Sequence, residues 1–543
     1  MELLLSHQTQ FVQLFRQIHR KADPNLFMKS LQSLIVSLRK TIMTEKNAAV
    51  QQAHFTILKL LFKLIVYTRD IFGGLGEREM TYCMLFIWKY HFPLPTAQCL
   101  YKIVMPVQSS EEVMEPSYGS WRDIKGMCDF VRKHSEKGEE DPFIETCIGL
   151  MNHQLASDIT CWKDALKRDS YPVPSEVGVS LVSRWIPRET SAHAWLFDRG
   201  AIQWIRAFRP EYLKTVNNSY ERFERAFRKG KKEYRQHFTT LSKALDTLQI
   251  KQCSQHHRWN EIDPKHIPMN AMTKQQHALI NITRKPTIDR NICAMKIQHW
   301  WLTHGLIKRP IFIEMGTIIK QALTFSHPFR IERLWSSVLS QIPDMQYMIP
   351  VLDLSLFHTD VESFYNALGM ALAIACKSTI FGTEKRLLAF DTTAHFVSLS
   401  GNLGQMLDVM KPFFYEHHIG SDLENAFSMF SHGTLDSHLD ETLLSHLVFV
   451  VFSNVNCKRL ADARKVFSGS SLPSILYWGG HLSSETTSIF PQFVGNSNHT
   501  LSRIAQLPSD SWKCMTPFIF IQYLLSHKRY DPIDTYFDTL RGA

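Results

Sequence analysis

The stretch VLDLSLFHTD, residues 351–360, decides how the C-terminal part of this chain is read. Its apolar lead-in, MIPVLDLSL (348–356), is continuous enough in hydrophobicity for a strand covered on both faces. The run carries Asp353 and Ser355 two residues apart at the strand's end. A D-x-S in that place suits the presentation of carboxylate and hydroxyl oxygens to a hard cation such as Mg²⁺. Phe357 comes next in the alternation, and a phenyl ring has no oxygen to give. The same two residues also suit the cap of a following helix, because Asp and Ser are favoured N-cap types.

The surroundings favour a strand. Downstream come KRLLAFDTTAHFVSL (385–399), LSHLVFVVFSN (444–454) and LPSILYWGG (472–480), all apolar and rich in β-branched or aromatic residues. Helical stretches such as VESFYNALGMALAIACKS (361–378) and LGQMLDVMKPFFYEHH (403–418) separate them. Strands alternating with helices at this spacing predict βαβ units on a parallel sheet, a doubly wound Rossmann-like domain over residues 344–543. In such sheets ligands bind beyond the C-terminal strand ends, where both DLSLF and FSN fall.

Residues 1–343 read differently, as helix after helix. In QAHFTILKLLFKLIVYTRD (52–70), Phe55, Leu58, Leu61, Phe62 and Ile65 recur at spacings of three and four, which makes one apolar stripe. Similar stripes occur in MTYCMLFIWKYHF (80–92), IKGMCDFVRKH (124–134) and FTTLSKALDTLQI (238–250), with GGLG (73–76), PLP (93–95), EPSYGS (115–120), SYPVPSE (170–176) and WIPRE (185–189) breaking the chain between them. Many short amphipathic helices predict stacked helical hairpins of the solenoid kind, although no fixed-period repeat is visible.

The 543-residue length suits two domains, and 44% hydrophobic with 21% charged residues is an ordinary globular balance. The apolar run around 59–67 is interrupted by Lys63 and LVFVVF (447–452) is only strand-length, so no membrane span is expected. The N-terminus lacks the pattern of a secretory signal. Ten cysteines without a C-x-x-C, mostly in apolar stretches, suit reduced core thiols. A soluble cytoplasmic protein is the expectation. Charge is uneven: residues 351–543 carry 13 basic against 18 acidic side chains, leaving 48 against 33 for residues 1–350, so the front is +15 and the back −5. A front of that sign favours a polyanionic partner, with nucleic acid the commonest, though solubility alone would also account for it.

The densest basic signal is ERFERAFRKGKKEYRQHF (221–238). Arg222, Arg225, Arg228, Lys229, Lys231, Lys232 and Arg235 are opposed within their span only by Glu224 and Glu233. On a helix, Arg222, Arg225, Lys229, Lys232 and Arg235 share one side, while Phe223, Phe227, Tyr234 and Phe238 share another. Aromatic anchoring with cations outward matches a phosphate chain, and arginine adds bidentate contacts and base stacking. The plainer alternatives are a solvated charge run, or a helix broken at Gly230. Further basic residues that could line the same path are Lys63, Arg122, Lys125, Arg184 and Arg188, whereas Arg69 and Arg78 beside Asp70 and Glu77 suit internal ion pairs. GGLGER follows no strand and precedes no Lys-Ser/Thr, so a tight turn fits it better than a phosphate cradle. The pairs His256–His257 and His417–His418 lack zinc-type spacing. No nucleophile elbow or paired-carboxylate site is present, so no catalytic residues are assigned.

Several phrases resemble those of an uncharacterised Ro-like family of bacteria, eukaryotes and large DNA viruses: TRDIFGGLGERE (68–79), YGSWRDI (118–124), SRWIPRE (183–189), YRQHFTTLSKAL (234–245), ILYWGG (475–480) and MTPFIFIQYLLSHKRYDPI (515–533). In the Ro autoantigen group a TROVE-type ring of HEAT-like helical repeats carries a von Willebrand factor A-like domain. The resemblance implies that fold, with the helical module at 1–343 and the A-like domain at 344–543, and it implies binding of single-stranded or structured RNA. The A-domain metal site is D-x-S-x-S with a threonine and an aspartate from two further loops. Asp353 and Ser355 match, Phe357 replaces the second serine, Ser421 followed by Asp422 stands where threonine is usual, and Asn454 stands for the aspartate. The resemblance therefore implies a degenerate site, with Mg²⁺ held weakly or not at all. The expected function is non-enzymatic RNA binding along the basic surface, with the A-like domain as scaffold or protein-docking module. A structural or assembly role through that domain, in a virion if the chain is viral, is the alternative, and metal-dependent partner binding a third.

Overall fold

The computed structural model describes residues 2–18, 23–108, 114–169, 173–214, 220–253, 258–267, 271–272, 275–281, 287–303, 314–324, 328–415, 420–436, 441–454, 457–467, 472–478, 491–493 and 498–538. It is mostly helical, with one mixed sheet in the C-terminal part. The chain forms two compact units, Met1–Met80 with Pro268–Lys274 and Gln298–Asp534, and Thr81–Ile267 with Gln275–Ile297 and Thr535–Ala543. Strand–helix alternation does begin after residue 343, yet the compact unit that holds the sheet also takes in the first eighty residues.

In that unit, helices α1 (Glu2–Arg16), α2 (Pro24–Thr44) and α3 (Ala48–Arg69) come first. Asp23 and Asn47 cap α2 and α3 by accepting backbone N–H bonds in their first turns. The apolar stripe on α3 is wider than its sequence spacing suggests, because Leu60, Leu64, Val66 and Tyr67 are buried together with Leu58, Leu61, Phe62 and Ile65. Lys63 does not interrupt it. Its buried ammonium lies 3.0 Å from Asp534 and 3.4 Å from Asp531. Among the described residues, α3 is the one helix long and apolar enough to cross a membrane, and 56% of its most apolar window is buried inside the protein.

The turn after α3 needs its glycines. A Cβ at Gly74 would sit 1.9 Å from the Tyr67 carbonyl oxygen, and Gly76 has φ +69°. Folded back this way, Leu75 N–H and Glu77 N–H donate to the Tyr67 and Thr68 carbonyls at 3.0 and 2.8 Å. The buried Asp70 carboxylate accepts from Arg529 Nε and Nη2 at 2.7 and 3.0 Å and from Tyr530 Oη at 3.0 Å. Thus TRDIFGGLG and HKRYDPI, 459 residues apart at this contact, meet in one buried clamp.

The sheet has strands β1 (Met348–Asp353), β2 (Lys385–Phe390), β3 (Ala394–Leu399), β4 (Val448–Phe452), β5 (Ser474–Trp478) and β6 (Gln492–Phe493), in the order β3-β2-β1-β4-β5-β6. All neighbours are parallel except β2 and β3. The single run expected over 385–399 is therefore a hairpin. Asp391 turns it, its carboxylate accepting from Thr393 N–H and Oγ at 2.7 and 3.0 Å, so the sheet is mixed and its edge strand antiparallel. Ile349, Val351, Leu388, Phe390, Phe449, Val451, Ile475 and Tyr477 pack with Leu423, Phe427, Phe430, Leu460 and Phe467 on one face. The helix Val361–Lys377, buried along most of its length, contacts β1, β2 and β4 and the helix Met315–Thr324. The order reverses direction between β1 and β4, which places a crevice at the ends of those two strands.

The other unit is a run of helices in which neighbours pack: Arg122–His134 on Pro142–Arg168, that helix on Ala194–Phe208, and Ala194–Phe208 on Tyr220–Ala244. Cys83, Cys99, Cys128, Cys147 and Cys293 are buried free thiols, and Cys253 and Cys514 are exposed.

Candidate functional site

The basic segment is one continuous helix, Tyr220–Ala244. Gly230 does not break it. The residue is buried, and a Cβ there would fall 2.3 Å from Ile205 Cγ1, so its missing side chain lets the helix close onto Ala194–Phe208. Tyr234, Phe238 and Leu241 bury the C-terminal half of the aromatic side. Tyr234 Oη donates to Asn152 Oδ1 at 2.9 Å, and its ring lies 5.6 Å from those of Phe197 and Trp204. The N-terminal half differs from the expected amphipathic pattern: Phe223 is 38% exposed and stacks on Phe227 at 6.3 Å.

The seven cations divide into three groups. Arg222, Arg225 and Lys229 line an open groove of about 610 Å³ together with Glu211, Tyr212 and Ala226. Arg228 and Lys232 are exposed, and Arg228 and Arg225 make only one-turn pairs with Glu224 and Glu221 at 3.7 and 3.4 Å. Such surface pairs are worth about 0.3–0.5 kcal/mol and yield readily to a stronger anion. Lys231 and Arg235 are committed to the protein. Lys231 Nζ reaches Asp198 at 2.6 Å and Glu189 at 3.4 Å, and Arg235 reaches Glu189 at 2.5 Å. These two hold the helix in place, so they join a different part of the structure from the one their sequence spacing suggests.

Glu233 organises the groove from beneath. It accepts from Arg209 Nε at 2.7 Å, Tyr212 Oη at 2.8 Å and His237 Nε2 at 3.1 Å. Burial alone would raise its pKa, but these hydrogen bonds outweigh it and hold the carboxylate down at about 2. Tyr212 is thereby fixed with Lys229 Nζ 4.2 Å above its ring. The result is a half-open channel with an ammonium, two guanidiniums and an aromatic floor, a chemistry suited to a phosphodiester and an unpaired base.

The second candidate lies at the crevice end of β1. Asp353 is buried, and its carboxylate accepts from Ser355 Oγ at 2.6 Å, Ser355 N–H at 3.0 Å, Ser421 Oγ at 2.9 Å and Ser453 Oγ at 2.5 Å. Burial raises its pKa, with the serine hydroxyls opposing. Asp353, Ser355 and Ser421 thus come together as their motif positions imply. Asp422 does not join them, because its carboxylate caps Leu423–Asp436 by accepting Asn425 N–H at 3.1 Å. Phe357 points its ring at Phe364 and Phe414, with centroids 5.2 and 5.7 Å away, and anchors the loop. Ser453, the residue before Asn454, supplies a third-loop oxygen. It follows the last residue of β4, and its carbonyl accepts from Tyr477 Oη at 2.5 Å, an arrangement set by strand register.

One carboxylate among neutral hydroxyls fits Mg²⁺ poorly, since a hard dication requires several oxygens and charge count sets the affinity. Among the described residues no group of three or more His, Cys, Asp or Glu could hold a metal ion. His256, His257, His417 and His418 lie outside the described residues. Of the remaining basic residues, Lys63 belongs to the α3 core, while Arg188 lies 5.0 Å over the Phe238 ring. No protein-family model and no curated protein matches the chain.

Proposed function

We propose that this chain is a non-enzymatic RNA-binding protein of the Ro type, in which a HEAT-like helical-repeat scaffold presents the Tyr220–Ala244 helix to RNA. In this reading, a von Willebrand factor A-like domain serves as scaffold or protein-docking module without a working Mg²⁺ site. One observation carries the proposal: Arg222, Arg225 and Lys229 line a single groove with Tyr212, and neither Arg222 nor Lys229 forms an ion pair with a described residue. The +15 charge of residues 1–350 and the 3-2-1-4-5-6 strand order support it.

Filter binding of single-stranded and structured RNA at rising salt provides the test. With about three phosphates neutralised, log K should fall against log salt with a slope near −2 for a single strand. The triple variant R222E/R225E/K229E should abolish tight binding, whereas K231Q should affect it only through stability. Salt-indifferent or absent binding would sink the reading and favour the assembly role.

A further inference from the structure

A second cationic cluster lies in the same helical unit and is built around Trp185. Arg122 and Lys125 stand one turn apart on the helix Arg122–His134, and Arg184 precedes Trp185 on the short helix Val182–Trp185. The Arg122 and Arg184 guanidinium carbons lie 5.8 and 5.4 Å from the Trp185 ring centre, and Lys125 Nζ lies 5.9 Å from it. Three cations therefore converge on one half-buried indole.

The surrounding acids compensate them only in part, the charge of Asp129 acting on Lys125. Among the described residues none of the three makes an ion pair. Asp129, one turn beyond Lys125, gives its oxygens to Lys133 at 2.8 Å and Arg132 at 3.6 Å. Asp123, next to Arg122, is buried and accepts from Tyr82 Oη at 3.0 Å and Ser120 N–H at 2.7 Å. Glu189 is held by Lys231 and Arg235. Burial lowers the pKa of both Lys125 and Arg184, and the neighbouring Arg122 lowers Lys125 further. His193 is lowered by burial and then by Lys125. The local field is thus positive.

The backbone beneath is closely packed. A Cβ at Gly126 would fall 2.4 Å from Tyr82 Oη, so the Arg122–His134 helix is seated tightly. Ser242 Oγ donates to the Ser183 carbonyl at 3.0 Å and ties down the residue before Arg184. Like charges held together at a partly desolvated place, on closely packed helices, are stabilised most directly by a bound anion.

We propose that Arg122, Lys125 and Arg184, gathered at Trp185, form an anion site that takes a phosphate group. Two guanidiniums offer paired N–H donors matched to phosphate oxygens, and the ammonium adds a point charge. The site shares no residue with the Tyr212 groove, so it stands or falls apart from the RNA reading.

Titration calorimetry of the full chain with pyrophosphate, adenosine 5′-monophosphate and a twelve-residue oligouridylate tests the proposal, using the wild type, R122Q, R184Q and R222E/R225E/K229E. Loss of one charge-assisted hydrogen bond should weaken binding about tenfold or more in R122Q and in R184Q. Pyrophosphate binding should survive the groove variant. Heat with the small phosphates identifies a free ligand, and heat with the oligouridylate alone a strand backbone; either supports the site when R122Q and R184Q diminish it. A thermal melt guards against misfolding: K125M should leave the melting temperature unchanged or raise it, because a repulsion is removed. Absence of binding to all three probes, affinities unchanged in R122Q and R184Q, or a marked fall in the K125M melt would overturn the proposal.

Discussion

At the level of single residues, the side chains that matter most are those whose partners lie far along the chain. Glu233 reads in the sequence as a stray acid in a basic run, yet it fixes Arg209, Tyr212 and His237 together. Its carboxyl is held at about 2 against an ordinary 4.5, so the folded state binds its proton less readily than the unfolded state does. The stability this contributes is fully present above pH 4.5 and is lost as pH falls toward 2. The stability difference between wild type and E233Q, from urea titrations at stepped pH, should be constant above pH 4.5 and shrink below it; a pH-independent difference would refute the assignment. Asp353 and Ser355 were legible because their residue types and spacing carry the chemistry, and Ser421 was legible only through the resemblance to the A-domain motif. Ser453 was not, because the placing of that strand-end residue depends on register with β5.

Elements show a different division. Periodicity along the chain predicts a helix over 221–238, but Gly230 reads locally as a weak point, since glycine in a helix interior costs about 1 kcal/mol. Its role emerges only from the neighbouring helix, whose Ile205 occupies the space a side chain would need. Gly230→Val should therefore destabilise the protein by about 1–3 kcal/mol through overpacking, measured by chemical denaturation. A stabilised variant would show that the two helices do not pack as described. The hairpin of β2 and β3 teaches the same lesson. Its apolar run reads as continuous, and the Asp391–Thr393 turn outweighs that continuity because the side chain of Asp391 satisfies the turning backbone.

Across the whole molecule, the buried clamp of Asp70 with Arg529 and Tyr530 joins the start of the sheet-bearing unit to its end. Asp70→Asn would remove the buried carboxylate charge that pairs with Arg529 and should cost about 3–5 kcal/mol, seen as a lower urea midpoint. An unchanged midpoint would show that the clamp carries little of the stability. Hydrophobic period, breakers and turn residues are properties of neighbours in the chain, so the sequence by itself determined the helical front, the strand–helix alternation after residue 343 and the place of Asp353 at a strand end. Only the tertiary structure decided which cations face a groove and which are bound to Glu189 and Asp198, and that the first eighty residues belong to the compact unit that holds the sheet. Charge pairing and core membership depend on which distant segments meet, because ion-pair distance and apolar burial are set by tertiary contacts and not by neighbours in the chain.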